Sequence, residues 1–358
     1  MALLRTSAAA VIVCLASLFV PPAAPARTLD AQQPFRSSIW LPFWLPGAAD
    51  EVSANADLFG TASLFWYEAA SCSSVRLEPG AGDRGQLREL RHRGLKVMAT
   101  VVGSGLPPQA AIRCFTDAAH RNAHVQMLVR LAERGHFAGI DIDYETLAHT
   151  RSTRLALRVR RAFDRFVPEL CDALRAHGKT CTVTVMPRVD DSTRVWLGKV
   201  IPGVYDYAAL ASAADRIRVM AYDEHGASSK AGPVAGYPWV KQVIAYSESK
   251  APAAKIELGI PLYGRDFAHH TGVALTGAQA LALARRHGAT PHFDPVQREA
   301  TFHYREHGVR HTVWFSSARA IAVRTRLARA HGMAGAAYWA AGQDPAGTWK
   351  AVRRALHG

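Results

Sequence analysis

Three carboxylic acids recur at every second position in residues 137–145, Phe-Ala-Gly-Ile-Asp-Ile-Asp-Tyr-Glu: Asp141, Asp143 and Glu145. On a β-strand alternate side chains share a face, so these acids line one side while Ile140, Ile142 and Tyr144 line the other. Three crowded, partly desolvated carboxyls cannot all ionise cheaply. At least one keeps a proton, and the outermost, Glu145, is the one expected to titrate high. A glutamic acid tuned in this way serves as a general acid near neutral pH. Two other uses compete. Acids at a strand end can pair with arginines or cap helix termini, a role that two would fill more readily than three on one face. An Asp/Asp/Glu cluster can also hold magnesium, but such sites recruit ligands from other strands and none is clearly marked. The expectation is no metal and no cofactor. Adjacent His269 and His270 do not converge on one ion, and no Ser-His-Asp arrangement stands out.

The elements that position these acids are legible along the chain. Short β-branched and aromatic runs at 38–44, 62–67, 95–102, 137–143, 181–186, 217–222, 256–262 and 333–339 read as eight strands. Amphipathic Ala/Arg/Leu-rich stretches lie between most of them, including 86–93, 124–134 and 153–176. Eight strands alternating with helices in 358 residues predict an α/β fold, a (β/α)8 TIM barrel spanning 36–358 as a single domain. The acids would then climb the barrel interior towards the C-terminal rim, where barrel active sites lie. A doubly wound open sheet would need a glycine-rich βα turn, and none follows the early strands. Residues 267–304 are less regular and read as one helix plus a small hairpin inserted between strands seven and eight.

Residues 1–26 read as a signal peptide: Arg5, an apolar run at 7–20, then Ala24-Pro25-Ala26 as a small-residue cleavage site. An uncleaved membrane anchor is the alternative, although the run is short for a span. The expected location is secreted, periplasmic or cell-wall associated, with no stable membrane insertion after cleavage. Beyond that segment remain Cys72, Cys114, Cys171 and Cys181. Four cysteines in an exported chain suit disulfides in any of three connectivities, and buried thiols remain the other reading. Cys171 closes a helical stretch and Cys181 opens the next strand, so those two can meet across one loop. The net charge of +14 comes from scattered arginines rather than a basic patch. That argues against a nucleic-acid partner and fits an anionic wall.

The acid strand resembles that of the family 18 glycoside hydrolases, which carry Asp-Gly-x-Asp-x-Asp-x-Glu at the end of strand four. Gly139, Asp141, Asp143 and Glu145 match, and Ala138 stands where the first Asp is usual. Met220-Ala221-Tyr222-Asp223 is similar to the family's strand-six motif. The run from Leu258 to Arg265 and the segment Gly335-Ala336-Ala337-Tyr338-Trp339 are similar to those of strands seven and eight. The short connection between strands seven and eight and Val313-Trp314-Phe315 resemble the branch of bacterial spore-cortex and cell-wall N-acetylglucosaminidases, without wall-binding repeats and without the large inserted domain of many chitinases.

The resemblance implies a monomeric enzyme acting on an N-acetylglucosamine-containing polysaccharide, chitin or peptidoglycan, with N-glycans a further class. Glu145 would protonate the glycosidic oxygen, and the substrate's own acetamido oxygen would be the nucleophile, an exception to the two-carboxylate scheme. Asp143 would hold the acetamido N–H, Asp141 would share a proton with Asp143, and Tyr222 would align the acetamido oxygen. Trp339 would floor the site. Asp223, Trp44, Trp66, Tyr67, Tyr263 and Arg265 are the other candidate sugar contacts, with a core role the competing reading for Trp44, Trp66 and Tyr67. A catalytically silent carbohydrate-binding lectin is the alternative function, and position 145 is the discriminating residue.

Overall fold

The apolar half of each alternating strand faces outward, which is why the helices collect around the sheet. In this computed structural model residues 35–150, 152–191 and 203–357 are described, together with the backbone of two short strands between 194 and 201. The 1–26 segment lies outside the described residues.

Eight parallel strands form the barrel: β1 Ser37–Pro42, β2 Phe59–Ala69, β3 Lys96–Val102, β4 Gly139–Asp143, β5 Thr180–Val185, β6 Arg216–Val219, β7 Ile256–Pro261 and β8 Gly335–Trp339. Each pairs with its neighbour in chain order, and β1 pairs with both β2 and β8, closing the sheet. Ile39, Leu64, Ile140, Ile142, Val183 and Ile217 point out into a continuous core beneath the helices, all with no exposed surface. All eight strands coincide with the runs read from the sequence.

The helices are α1 Ala48–Ala54, α2 Arg84–His92, α3 Pro108–Thr116, α4 Ala118–Arg134, α5 Thr153–Ala176, α6 Tyr207–Ala213, α7 Tyr237–Lys250, α8 Gly277–Arg286, α9 Ala318–Ala330 and α10 Thr348–His357. α5, which directly follows the acid strand and a short 3-10 turn, starts where the Ser152 hydroxyl accepts from the Leu155 N–H. Its apolar stripe, Val159, Phe163, Phe166, Val167 and Leu170, is buried against the barrel.

The connection between β7 and β8 corrects the expectation of one helix and a small hairpin, and of no sizeable insertion. Strands Tyr263–Ala268, Thr271–Thr276, His292–Phe293, Ala300–Glu306 and Val309–Phe315 form a five-stranded antiparallel sheet with α8 on it. It has its own small core of Ala280, Ala284, Phe302, Tyr304, Val313 and Phe315. In these strands burial does not follow residue type, as in Thr271–Thr276, where Gly272 is buried and Val273 exposed, so two hairpins read as irregular chain. His269 and His270, both at positive φ, make the tight turn of the first hairpin.

Two disulfides are present, Cys72–Cys114 and Cys171–Cys181. The second bridges the end of α5 to β5, as the loop length suggested.

Candidate active site

Strand parity carries the acids into the barrel. Asp141 is fully buried and accepts four hydrogen bonds: from Trp40 Nε1 at 2.9 Å, Thr100 Oγ1 at 2.9 Å, Thr184 Oγ1 at 2.8 Å and Arg218 Nη1 at 2.9 Å. Arg218 is itself buried and also donates to Glu257 at 2.6 Å and Ser63 at 2.7 Å. The floor of the site is therefore a closed polar layer to which every strand from β1 to β7 contributes, centred on an Asp141–Arg218 ion pair.

Asp143 sits one step higher, 3% exposed, and its Oδ1 has no hydrogen-bond partner among the described residues. Burial first, then the neighbouring charges of Glu145 and Asp141, push its pKa well above the ordinary carboxylate range. Glu145 lies at the rim, at the start of a 3-10 turn spanning Glu145–Ala148. Desolvation, reinforced by the charge of Asp223, raises it to about 7. The two acids nearest the rim thus stay protonated far above the usual range.

Tyr222 and Asp223 lie at the start of the loop leaving β6. Desolvation, and then the charges of Glu145 and Asp143, hold the Tyr222 phenol in its neutral form. Asp223 adopts φ 58°, and its Oδ1 accepts from Tyr263 Oη at 2.6 Å and from Arg265 Nη2 at 2.7 Å and Nε at 3.0 Å. Tyr263 and Arg265 hold Asp223 in place, a different role from the free rim contacts expected of them. Trp339, the last residue of β8, packs edge-on against Trp40 at 5.7 Å and Phe65 at 4.9 Å. Trp44, 46% exposed, stands beside Phe65 at 5.7 Å and extends that aromatic wall outward.

Trp66 and Tyr67 are not brought to the site. The pairing of β2 with β3 shifts register between Phe65 and Tyr67. A bulge of this kind re-aims side chains. Trp66 is buried in the core, and Tyr67 packs on Phe137, with their rings 5.8 Å apart. Phe65 takes the inward place instead.

Four residues of the site were not singled out from the sequence: Trp40, Phe65, Arg218 and Tyr205, whose hydroxyl donates to the Tyr144 carbonyl at 2.9 Å. For Arg218 a signal existed. It shares strand parity with Met220 and Tyr222, so it had to point inward with them. Ala138, by the same parity, shares the outward face of Ile140 and Ile142 and cannot touch the carboxylate ladder directly.

A ladder of acids beneath an aromatic wall is the arrangement that the sequence motif implied. The profile of glycosyl hydrolases family 18 matches residues 51–344. The chain belongs to glycosyl hydrolase family 18. This family 18 glycosidase is 29% identical over 251 residues to the uncharacterized glycosylase YvbX of Bacillus subtilis (strain 168), covering 68% of this chain and 69% of that protein. It is 27% identical over 244 residues to a cortical fragment-lytic enzyme of Bacillus anthracis, covering 65% of this chain and 53% of that one. The chain thus spans about half the length of that relative. Among solved structures, the chitinase of Chromobacterium violaceum ATCC 12472 matches with a TM-score of 0.80 at 27% identity, covering 90% of this chain and 99% of the other.

Proposed function

We propose that this glycosidase cleaves β-1,4-linked N-acetylglucosamine polymers, peptidoglycan or chitin and its oligosaccharides, by substrate-assisted retaining catalysis. The observation that carries the reading is the unpartnered, buried Oδ1 of Asp143 beside the rim acid Glu145. An acetamido N–H would complete it.

A sugar seated on Trp339 presents its glycosidic oxygen to Glu145, which gives up its proton as the C1–O bond breaks. The acetamido oxygen, aligned by the Tyr222 hydroxyl, attacks C1 from the other face. Asp143 accepts the amide N–H on its unpartnered Oδ1, a hydrogen bond that strengthens as positive charge spreads over the oxazolinium ring. Water then attacks C1, Glu145 takes its proton, and the original anomeric configuration returns. Asp141, accepting four hydrogen bonds and paired with Arg218, anchors the floor beneath Asp143.

The names of the relatives, a chitinase and a cortical fragment-lytic enzyme, support polymers of this class. Secretion or cell-wall association is supported by the 1–26 pattern and by two disulfides, which persist in oxidising compartments. We take the enzyme to act as a monomer. The test is release of products from chito-oligosaccharides and from purified peptidoglycan by the wild type and by Glu145→Gln. Cleavage by the wild type alone supports the reading, and the preferred polymer assigns the substrate. Equal cleavage by both proteins, or binding without cleavage by the wild type, would overturn it.

A further inference from the structure

A second groove runs along the side of the barrel, between α2 and α4, with a volume of about 750 Å³. Its floor is apolar: Trp66, Tyr67, Leu87, Met127, Leu131 and Phe137. Its walls carry Arg84, Arg88 and Arg91 from α2 and Arg130 and Arg134 from α4. Spacings of three and four residues put each set on one helix face, which is why two helices aim five guanidiniums at one channel. Among the described residues no carboxylate lines it. The acids nearby in sequence are engaged elsewhere: Glu89 with Arg93, Glu133 with His177, and Asp83 as the cap of α2. Arg91 is anchored, donating to the carbonyls of Gly135 at 2.7 Å and His136 at 3.1 Å. Arg84, Arg88, Arg130 and Arg134 are exposed and make no ion pair among the described residues.

Five like charges are held together here at a cost in mutual repulsion that folding alone does not require. Exposed arginines over an apolar floor fit a polymer that alternates anionic groups with apolar faces. We infer that this groove is an accessory binding site for an anionic glycan, specifically a strand bearing carboxylates, such as those of the stem peptides of peptidoglycan. The inference rests on the reading of this enzyme as one that meets such walls, and deepens it. Guanidinium pairs carboxylates two bonds at a time, a geometry that a single point charge does not offer. Arg84 and Arg91 lie about 10 Å apart along α2, the scale of a disaccharide repeat, so successive carboxylates can be met from one helix. The site lies outside the aromatic wall of the active site, so it holds the polymer without taking part in cleavage.

The experiment is co-sedimentation of the full chain with insoluble peptidoglycan stripped of phosphodiester polymers. Glu145→Gln is used as background so that the polymer stays intact. Arg88→Ala with Arg130→Ala should weaken binding about tenfold, the loss of two partly exposed charge pairs. Arg88→Lys with Arg130→Lys should retain most of it. Amidating the peptidoglycan carboxylates, or raising salt, should weaken the Glu145→Gln parent to the same degree. Binding to neutral chitin should not change. In the wild-type background the alanine pair should turn over chito-oligosaccharides at the wild-type rate with an unchanged melting temperature. Unchanged peptidoglycan binding by the alanine pair would overturn the inference. So would an equal loss on chitin, or binding that disappears when phosphodiester polymers are stripped. Failure of the catalytic reading would show separately, as absence of cleavage by the wild type, while sedimentation would still decide the groove.

Discussion

Glu145 titrates near neutrality because it is desolvated at the rim and faces the charge of Asp223. A general acid must enter the cycle protonated, so activity should fall on the alkaline side with an apparent pKa of about 7. Asp223→Asn removes one of the two causes and should move that limb to lower pH, as a pH profile of kcat/KM on a chito-oligosaccharide would show. Glu145→Gln should lower kcat by about 10²–10⁴-fold. Its effect on stability has a definite sign. The folded pKa is raised above the unfolded value of 4.5, so stability present below pH 4.5 is lost as pH rises through about 7. Thermal melting should therefore show Glu145→Gln more stable than wild type above pH 7 and without that advantage below pH 4. At the floor, Arg218→Met leaves Asp141 buried without its cation and should cost about 3–5 kcal/mol in chemical unfolding. The acids, Tyr222, Asp223 and Trp339 were legible because residue type, parity and a known motif agreed. Arg218 was not, because an arginine in an arginine-rich chain reads as solvated unless strand parity is followed through.

At the scale of elements, the loop after β2 matters most. It is tied to α3 by Cys72–Cys114, and the Cys72 carbonyl lies 2.8 Å from Nδ1 of His124. Nε2 of His124 lies 2.7 Å from the Tyr144 hydroxyl, directly behind the catalytic strand. That bridge closes a loop of 42 residues, and its removal by paired Cys→Ser changes should cost about 4 kcal/mol by loop entropy. The 10-residue Cys171–Cys181 bridge should cost less, about 3 kcal/mol. Denaturant unfolding of each double variant checks the order. The eight barrel strands were legible because each buries one apolar face against helices. The insertion sheet and the β2 bulge were not. In the insertion sheet burial does not follow residue type, since Thr271–Thr276 buries Gly272 and exposes Val273. In β2 a single extra residue after Phe65 reverses the parity of Tyr67, while Trp66 lies on the outward face by plain alternation with Phe65. The insertion also serves the site, since its first strand supplies Tyr263 and Arg265 to Asp223. Arg265→Ala should lower kcat/KM by about tenfold with little change in KM, by releasing Asp223, whose charge tunes Glu145.

For the molecule as a whole, closure of the barrel divides the labour between its interior and its side. The interior gathers the Asp141–Arg218 ion pair, two protonated acids and an aromatic wall at one site. The side carries arginines on α2 and α4 that make no ion pair among the described residues. The +14 charge, scattered along the sequence, is locally concentrated in that groove because helix periodicity brings residues 84, 88, 91, 130 and 134 together. Composition alone could not show this, since it depends on which helices become neighbours. The central claim, that the substrate's acetamido group is the nucleophile, is tested most directly by one paired measurement. Cleavage of a β-1,4-linked N-acetylglucosamine oligomer is compared with that of its de-N-acetylated counterpart, with the anomer of the first product followed by NMR. Substrate-assisted catalysis predicts cleavage of the acetylated oligomer alone, with the β-anomer formed first. Equal cleavage of both oligomers, or an initial α-anomer, would contradict it.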